Sequence, residues 1–60
     1  MKLVTFNDFN SQEEVTVNCD NITYVEPNVL DEGITVIYFT GKQLLTVKED
    51  YEEVKRRIKE

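Results

Sequence analysis

Apolar and polar positions alternate with a period of two in five short runs, and the spacing turns helical only near the end of the chain. Residues 2–6 form the first run, with Val4 and Phe6 alternating against Leu3 and Thr5. Asn7-Asp8-Phe9-Asn10-Ser11 is turn chemistry, since Asn, Asp and Ser side chains close turns on nearby backbone. Phe9 is the odd residue there and is expected to fold back on the core. Residues 13–18 alternate cleanly: Val15 and Val17 take one face, Glu14, Thr16 and Asn18 the other. Cys19 is expected to continue the buried series, and Asn18-Cys19-Asp20-Asn21 reads as a turn that a short helical segment would satisfy.

Residues 22–26 make the third run, with Ile22, Tyr24 and Glu26 expected on one face and Thr23 and Val25 on the other. Pro27 ends it, because proline cannot donate to a central ladder. Asn28 to Gly33 connects onward and leaves Val29 and Leu30 needing cover. Residues 34–40 and 43–48 are then two strands around Thr40-Gly41-Lys42-Gln43, where the glycine can take a positive φ. The first of these is apolar on both faces: Ile34, Val36 and Tyr38 one way, Ile37 and Phe39 the other. So short a chain has little material for two covering layers, so the second face points to a partner or to a sheet that curls on itself.

From residue 50 to 59 the spacing predicts a helix. Asp50 suits the N-cap and Glu53 completes a capping-box pattern. Tyr51, Val54 and Ile58 form one apolar stripe. Acidic residues crowd the first turn and Lys55, Arg56, Arg57 and Lys59 the last, as the helix dipole favours. A helix this short is marginal in water, so it must dock on the sheet. The fold class expected is α+β: one domain, residues 1–60, of about five antiparallel strands (a meander or partly open barrel) and a C-terminal helix packed on them.

Size sharpens the question of a partner. A chain of 60 residues buries only roughly 60% of its unfolded surface and needs a good core or an external aid. Cys19 is the only cysteine, so no disulfide forms within the chain, and without histidine one thiolate makes no tetrahedral zinc site. Self-association remains. No apolar run approaches the roughly 20 residues that span a bilayer, the N-terminal apolar stretch is too short for a signal peptide, and a free cysteine suits a reducing compartment. Cytoplasmic localisation without membrane insertion is therefore expected.

Charge narrows the partners. Residues 1–41 hold Lys2 against seven acidic residues, while residues 42–60 hold six basic and five acidic ones. The net charge of −5 argues against nucleic acid, whose phosphates need clustered Lys and Arg. Catalysis lacks parts: with no histidine there is no Ser-His or Cys-His pair. Glu13-Glu14, Asp31-Glu32 and Glu52-Glu53 read as solvated carboxylates rather than acid–base pairs, since strand neighbours face opposite ways. Asp31-Glu32-Gly33 is too little for a calcium loop. In Gly41-Lys42 the lysine is followed by Gln43 and then a strand, where a phosphate loop needs Ser or Thr and a helix. No catalytic residue, metal ligand or cofactor is expected. The residues that could touch a ligand or partner are Tyr24 and Tyr38 by stacking and Lys42, Arg56 and Arg57 by contact with an anion.

Val15-Thr16-Val17-Asn18, Ile22, Val25-Glu26, Thr35-Val36-Ile37, Gly41-Lys42, Val47-Lys48-Glu49 and Glu52-Glu53-Val54 together resemble the small flagellar FlbD/SwrD family. Two connections differ from that family: Asn7–Gln12 is longer and lacks glycine, and Pro27–Gly33 is longer. The resemblance implies a small cytoplasmic accessory protein linked to flagellar motor function, and it carries over no catalytic residues. Ile22-Thr23-Tyr24-Val25-Glu26, followed by a hairpin and helix, is more weakly similar to the core of the LytTR domain. The leading expectation is a non-enzymatic binding or adaptor protein that forms a homo-oligomer. The alternative is a phage- or plasmid-encoded inhibitor that sequesters a nucleotide messenger or blocks a host protein.

Overall fold

A computed structural model describes residues 1–31 and 33–60. Glu32, read above as a loop carboxylate, lies outside them. The strands are β1 (Leu3–Asn7), β2 (Glu14–Asn18), β3 (Ile22–Pro27), β4 (Thr35–Phe39) and β5 (Gln43–Val47), followed by helix α1 (Tyr51–Lys59). A single 3-10 turn, Cys19–Asn21, joins β2 to β3, capped by Asn18, whose Oδ1 accepts from Asp20 N at 3.0 Å. The bounds agree with the sequence expectation to within a residue or so, the usual uncertainty of element ends.

All pairings are antiparallel and fall into two sheets, β1–β2 and β3–β4–β5. The sheets meet at one corner. Phe9 N donates to Thr46 O at 2.8 Å and Lys48 N donates to Asn7 O at 2.9 Å, around a bridge between Asp8 and Val47. The sheets do not close into a barrel, and Val36 and Tyr38 on the outer face of β4 are half-buried.

The core lies between the two inner faces and under the helix. Phe6 from β1, Val17 from β2, Ile37 from β4, Val47 from β5 and Val54 from α1 form one buried cluster, with Val4, Val15, Val25, Phe39, Leu45 and Ile58 packed around it. One residue from every element except β3 is thus fully or nearly fully buried, and burial of each such side chain is worth about 1.5–3 kcal/mol. Thr35 is the one buried polar side chain among the described residues. Its hydroxyl donates to Glu49 O at 2.9 Å, which ties the inner face of β4 to the start of the helix and leaves no orphaned polar group.

The helix begins as its sequence dictates, with Asp50 Oδ1 accepting from Glu53 N at 2.8 Å. Only half of the capping box forms, because the Glu53 carboxylate is taken by Arg56 and Arg57. Val54 and Ile58 join the core as the stripe predicts; Tyr51 is half-buried beside it, with the Lys55 ammonium 4.5 Å from its ring centroid.

Three placements correct the sequence reading. Phe9 is 42% exposed instead of folded on the core: it lies an odd number of residues from inward-facing Phe6, and its backbone is held in register by β5. Cys19, expected to continue the buried series, is only half-buried, in a 3-10 turn that agrees with the short helical segment read there. Ile22 and Tyr24 do not share a face. The β3–β4 register shifts between them, so Ile22 packs on the core while Tyr24 turns outward. Such a bulge puts one extra residue in a strand and reverses the alternation beyond it.

Candidate functional site

The outer face of β3–β4–β5 is built by that bulge and by the β4–β5 hairpin. Gly41 and Lys42 both take positive φ, 83° and 64°, and their turn closes Phe39 against Gln43. That register sets Leu44 opposite Tyr38, and the shifted β3 register sets Tyr24 opposite Tyr38 on its other side. Thr23, the bulge residue, donates its hydroxyl to Tyr38 O at 3.1 Å and pins the arrangement. The result is an outward row, Tyr24–Tyr38–Leu44, with Glu26, Val36 and Thr46 as the next row.

The tyrosine rings stack, with centroids 4.3 Å apart and planes at 15°. Tyr38 Oη donates to Glu26 Oε1 at 2.7 Å. This bond to a carboxylate, aided by partial burial, pushes the Tyr38 phenol above its ordinary pKa and keeps it a donor. Tyr24 remains 55% exposed and Leu44 58% exposed. Cross-strand aromatic and apolar neighbours of this kind pack against one another and fix each other's place on the sheet.

The structure brings Tyr24 and Tyr38 together but spends the two arginines elsewhere. Arg56 pairs with Glu53 and with Glu60 at 2.9 Å. Arg57 bonds Glu53 at 2.6 Å, donates to Thr5 O at 2.9 Å and lies 5.7 Å from the Phe6 ring centroid. These contacts staple the helix to β1 and hold the Glu53 carboxyl down at about 2, by hydrogen bonds from Arg56 first and Arg57 second. The buried end of this network is Glu49, whose carboxylate accepts from Asn7 N at 3.1 Å and Asn7 Nδ2 at 2.7 Å. Lys42 is exposed on the turn beside the tyrosine row, and makes no ion pair among the described residues.

Two further concavities flank the core. A cleft of about 280 Å³ opens between the sheets, lined by Val15, Val17, Phe39 and Leu45 with Asn18 and Gln43 at its rim. Another, of about 290 Å³, separates β3 from the helix and includes Cys19, Ile22, Lys55 and Lys59. Burial there pushes the Cys19 thiol up, away from the reactive thiolate. Among the described residues no group of three or more Cys, Asp or Glu side chains is placed to hold a metal, and no helix is long and apolar enough to cross a membrane. Val29 and Leu30 stay at 95% and 92% exposure on the β3–β4 loop.

Sequence reasoning named both tyrosines, set Leu44 or Leu45 beside the second face of β4 without choosing between them, and gave Glu26 no role. Their place in the surface depends on the hairpin register and the bulge, and the positive φ at Lys42 has no signal in its residue type. Compared with known proteins, the chain matches no family model, no curated protein and no solved structure.

Proposed function

We propose that this chain is a small non-enzymatic binding module of the cytoplasm that associates with a second copy of itself through the outer face of β3–β4–β5. The observation that carries the reading is the outward row Tyr24–Tyr38–Leu44, its two ends exposed, on a sheet whose other face already fills the core. A small interface gives weak and exchangeable association, as suits an adaptor. Sedimentation velocity at high micromolar concentration tests it: a dimer is expected, and a strict monomer overturns the reading. The resemblance adds a flagellar accessory role, for which loss of motility on deletion of the gene in the source organism is the test; unchanged motility sinks that part alone.

The ligand-sequestering alternative draws on one observation, Lys42 on the turn that borders the tyrosine row, which makes no ion pair among the described residues. Against it, each tyrosine already stacks on the other, and Arg56 and Arg57 are ion-paired within the chain. A thermal-shift screen with cyclic and linear nucleotides separates the two. No shift with any nucleotide ends the alternative.

A further inference from the structure

The outer face is apolar along its centre, with Glu26 on its β3 side and Lys48 on its β5 side, while Lys55 and Lys59 of the helix border the free edge of β3. Residues 20–31, which include β3, carry Asp20, Glu26 and Asp31 and no basic residue. Residues 40–48, which include β5, carry Lys42 and Lys48 and no acidic residue. Glu26 belongs to the outer face, since it accepts the Tyr38 hydroxyl there, and one carboxylate oxygen remains free of that bond. Lys48 is exposed and follows inward-facing Val47 at the end of β5.

A two-fold dimer formed through this face has two simple orientations. If the axis runs across the strands, β3 lies on β3 and β5 on β5. Glu26 then approaches Asp20 of the second copy, and Lys42 approaches Lys48, so like charges meet on both flanks. If the axis runs along β4, β3 of each copy lies on β5 of the other. Tyr24 then meets Leu44, Tyr38 sits at the axis, Glu26 faces Thr46 with Lys48 two residues further along the same side of β5, and Asp20 lies toward Lys42. A two-fold interface repeats every such contact, so each favourable pair counts twice. Like-charge juxtaposition suppresses wrong arrangements more strongly than attraction raises affinity.

Resting on the self-association proposed above, we propose that the second copy docks with its β5 flank over the β3 flank of the first, about an axis parallel to β4, in a register selected by Glu26–Lys48 pairing. The occupant of the face is thus another copy of this chain in one orientation.

The experiment is charge exchange read by sedimentation velocity at low salt, with circular dichroism to confirm that each variant folds. Both positions are exposed, and Glu26→Gln, which keeps an acceptor for Tyr38, serves as a milder second variant. Glu26→Lys alone and Lys48→Glu alone should each weaken self-association by about tenfold or more, through repulsion between copies. An equimolar mixture of the two should form a heterodimer tighter than either variant by itself, and the double exchange Glu26→Lys/Lys48→Glu should recover wild-type association. The orientation is overturned if wild type dimerises and Leu44→Asp abolishes the dimer, yet the mixture associates no better than the single variants. A wild type that stays monomeric overturns both this orientation and the reading beneath it.

Discussion

On the outer side of β1–β2, Thr5 and Thr16 join their hydroxyls at 2.8 Å across the strand pair, with Asn7 and Glu14 exposed at the end of the same ladder. On the outer side of β3–β4–β5, two stacked tyrosines and a leucine span the full width of the sheet. Each sheet contributes its inner face to the same core, so stability does not explain the difference. Leu3 and Leu44 make the contrast sharp, at 57% and 58% exposure. Leu3 stands opposite Asn18 among polar neighbours, whereas Leu44 completes an apolar row. A lone exposed leucine is ordinary, while one that completes a contiguous apolar row is less so.

The largest expected effect tests the common core. Ile37→Ala should cost about 2–5 kcal/mol, comparable to the whole stability of so small a domain. Chemical denaturation should show both sheets lost in one transition; separate transitions would break the premise that they share one core. Next comes the outer contrast. Leu44→Asp should reduce self-association by about tenfold or more, while Leu3→Asp leaves it unchanged, and each should alter stability by no more than about 0.5 kcal/mol. Equal effects at the two leucines, measured by sedimentation, would erase the distinction between the faces.

A smaller effect is expected at the helix start, where Asp50→Ala should lower unfolding free energy by about 1 kcal/mol without changing association. The smallest concerns acid. The folded-state pKa of Glu53 lies at about 2, below its ordinary carboxylate value, so its ion network stabilises the fold fully above about pH 4.3. That contribution fades as pH falls through the folded value. Thermal midpoints between pH 5 and pH 2 should therefore drop less steeply for Glu53→Gln than for wild type, and parallel curves would deny the network a role.

The alternation of Val15 and Val17, the Val54–Ile58 stripe, the Asp50 cap and the positive φ of Gly41 were legible in the chain, because each depends on neighbours a few residues away. The same period-two rule misplaced Ile22 relative to Tyr24, since a bulge is a property of a strand pair and residue type did not announce it. It gave no sign that Glu53, Glu60 and the Thr5 carbonyl engage Arg56 and Arg57 in the folded chain. What the sequence by itself determined is the order and type of elements and one strand apolar on both sides, because hydrophobic period and turn chemistry are local. Only the tertiary structure decided which face was left open and what borders it. Register, the bulge and the use of the arginines follow from contacts between residues far apart in the chain, and those contacts put Tyr24, Tyr38 and Leu44 in one row with Glu26 on one flank and Lys48 on the other.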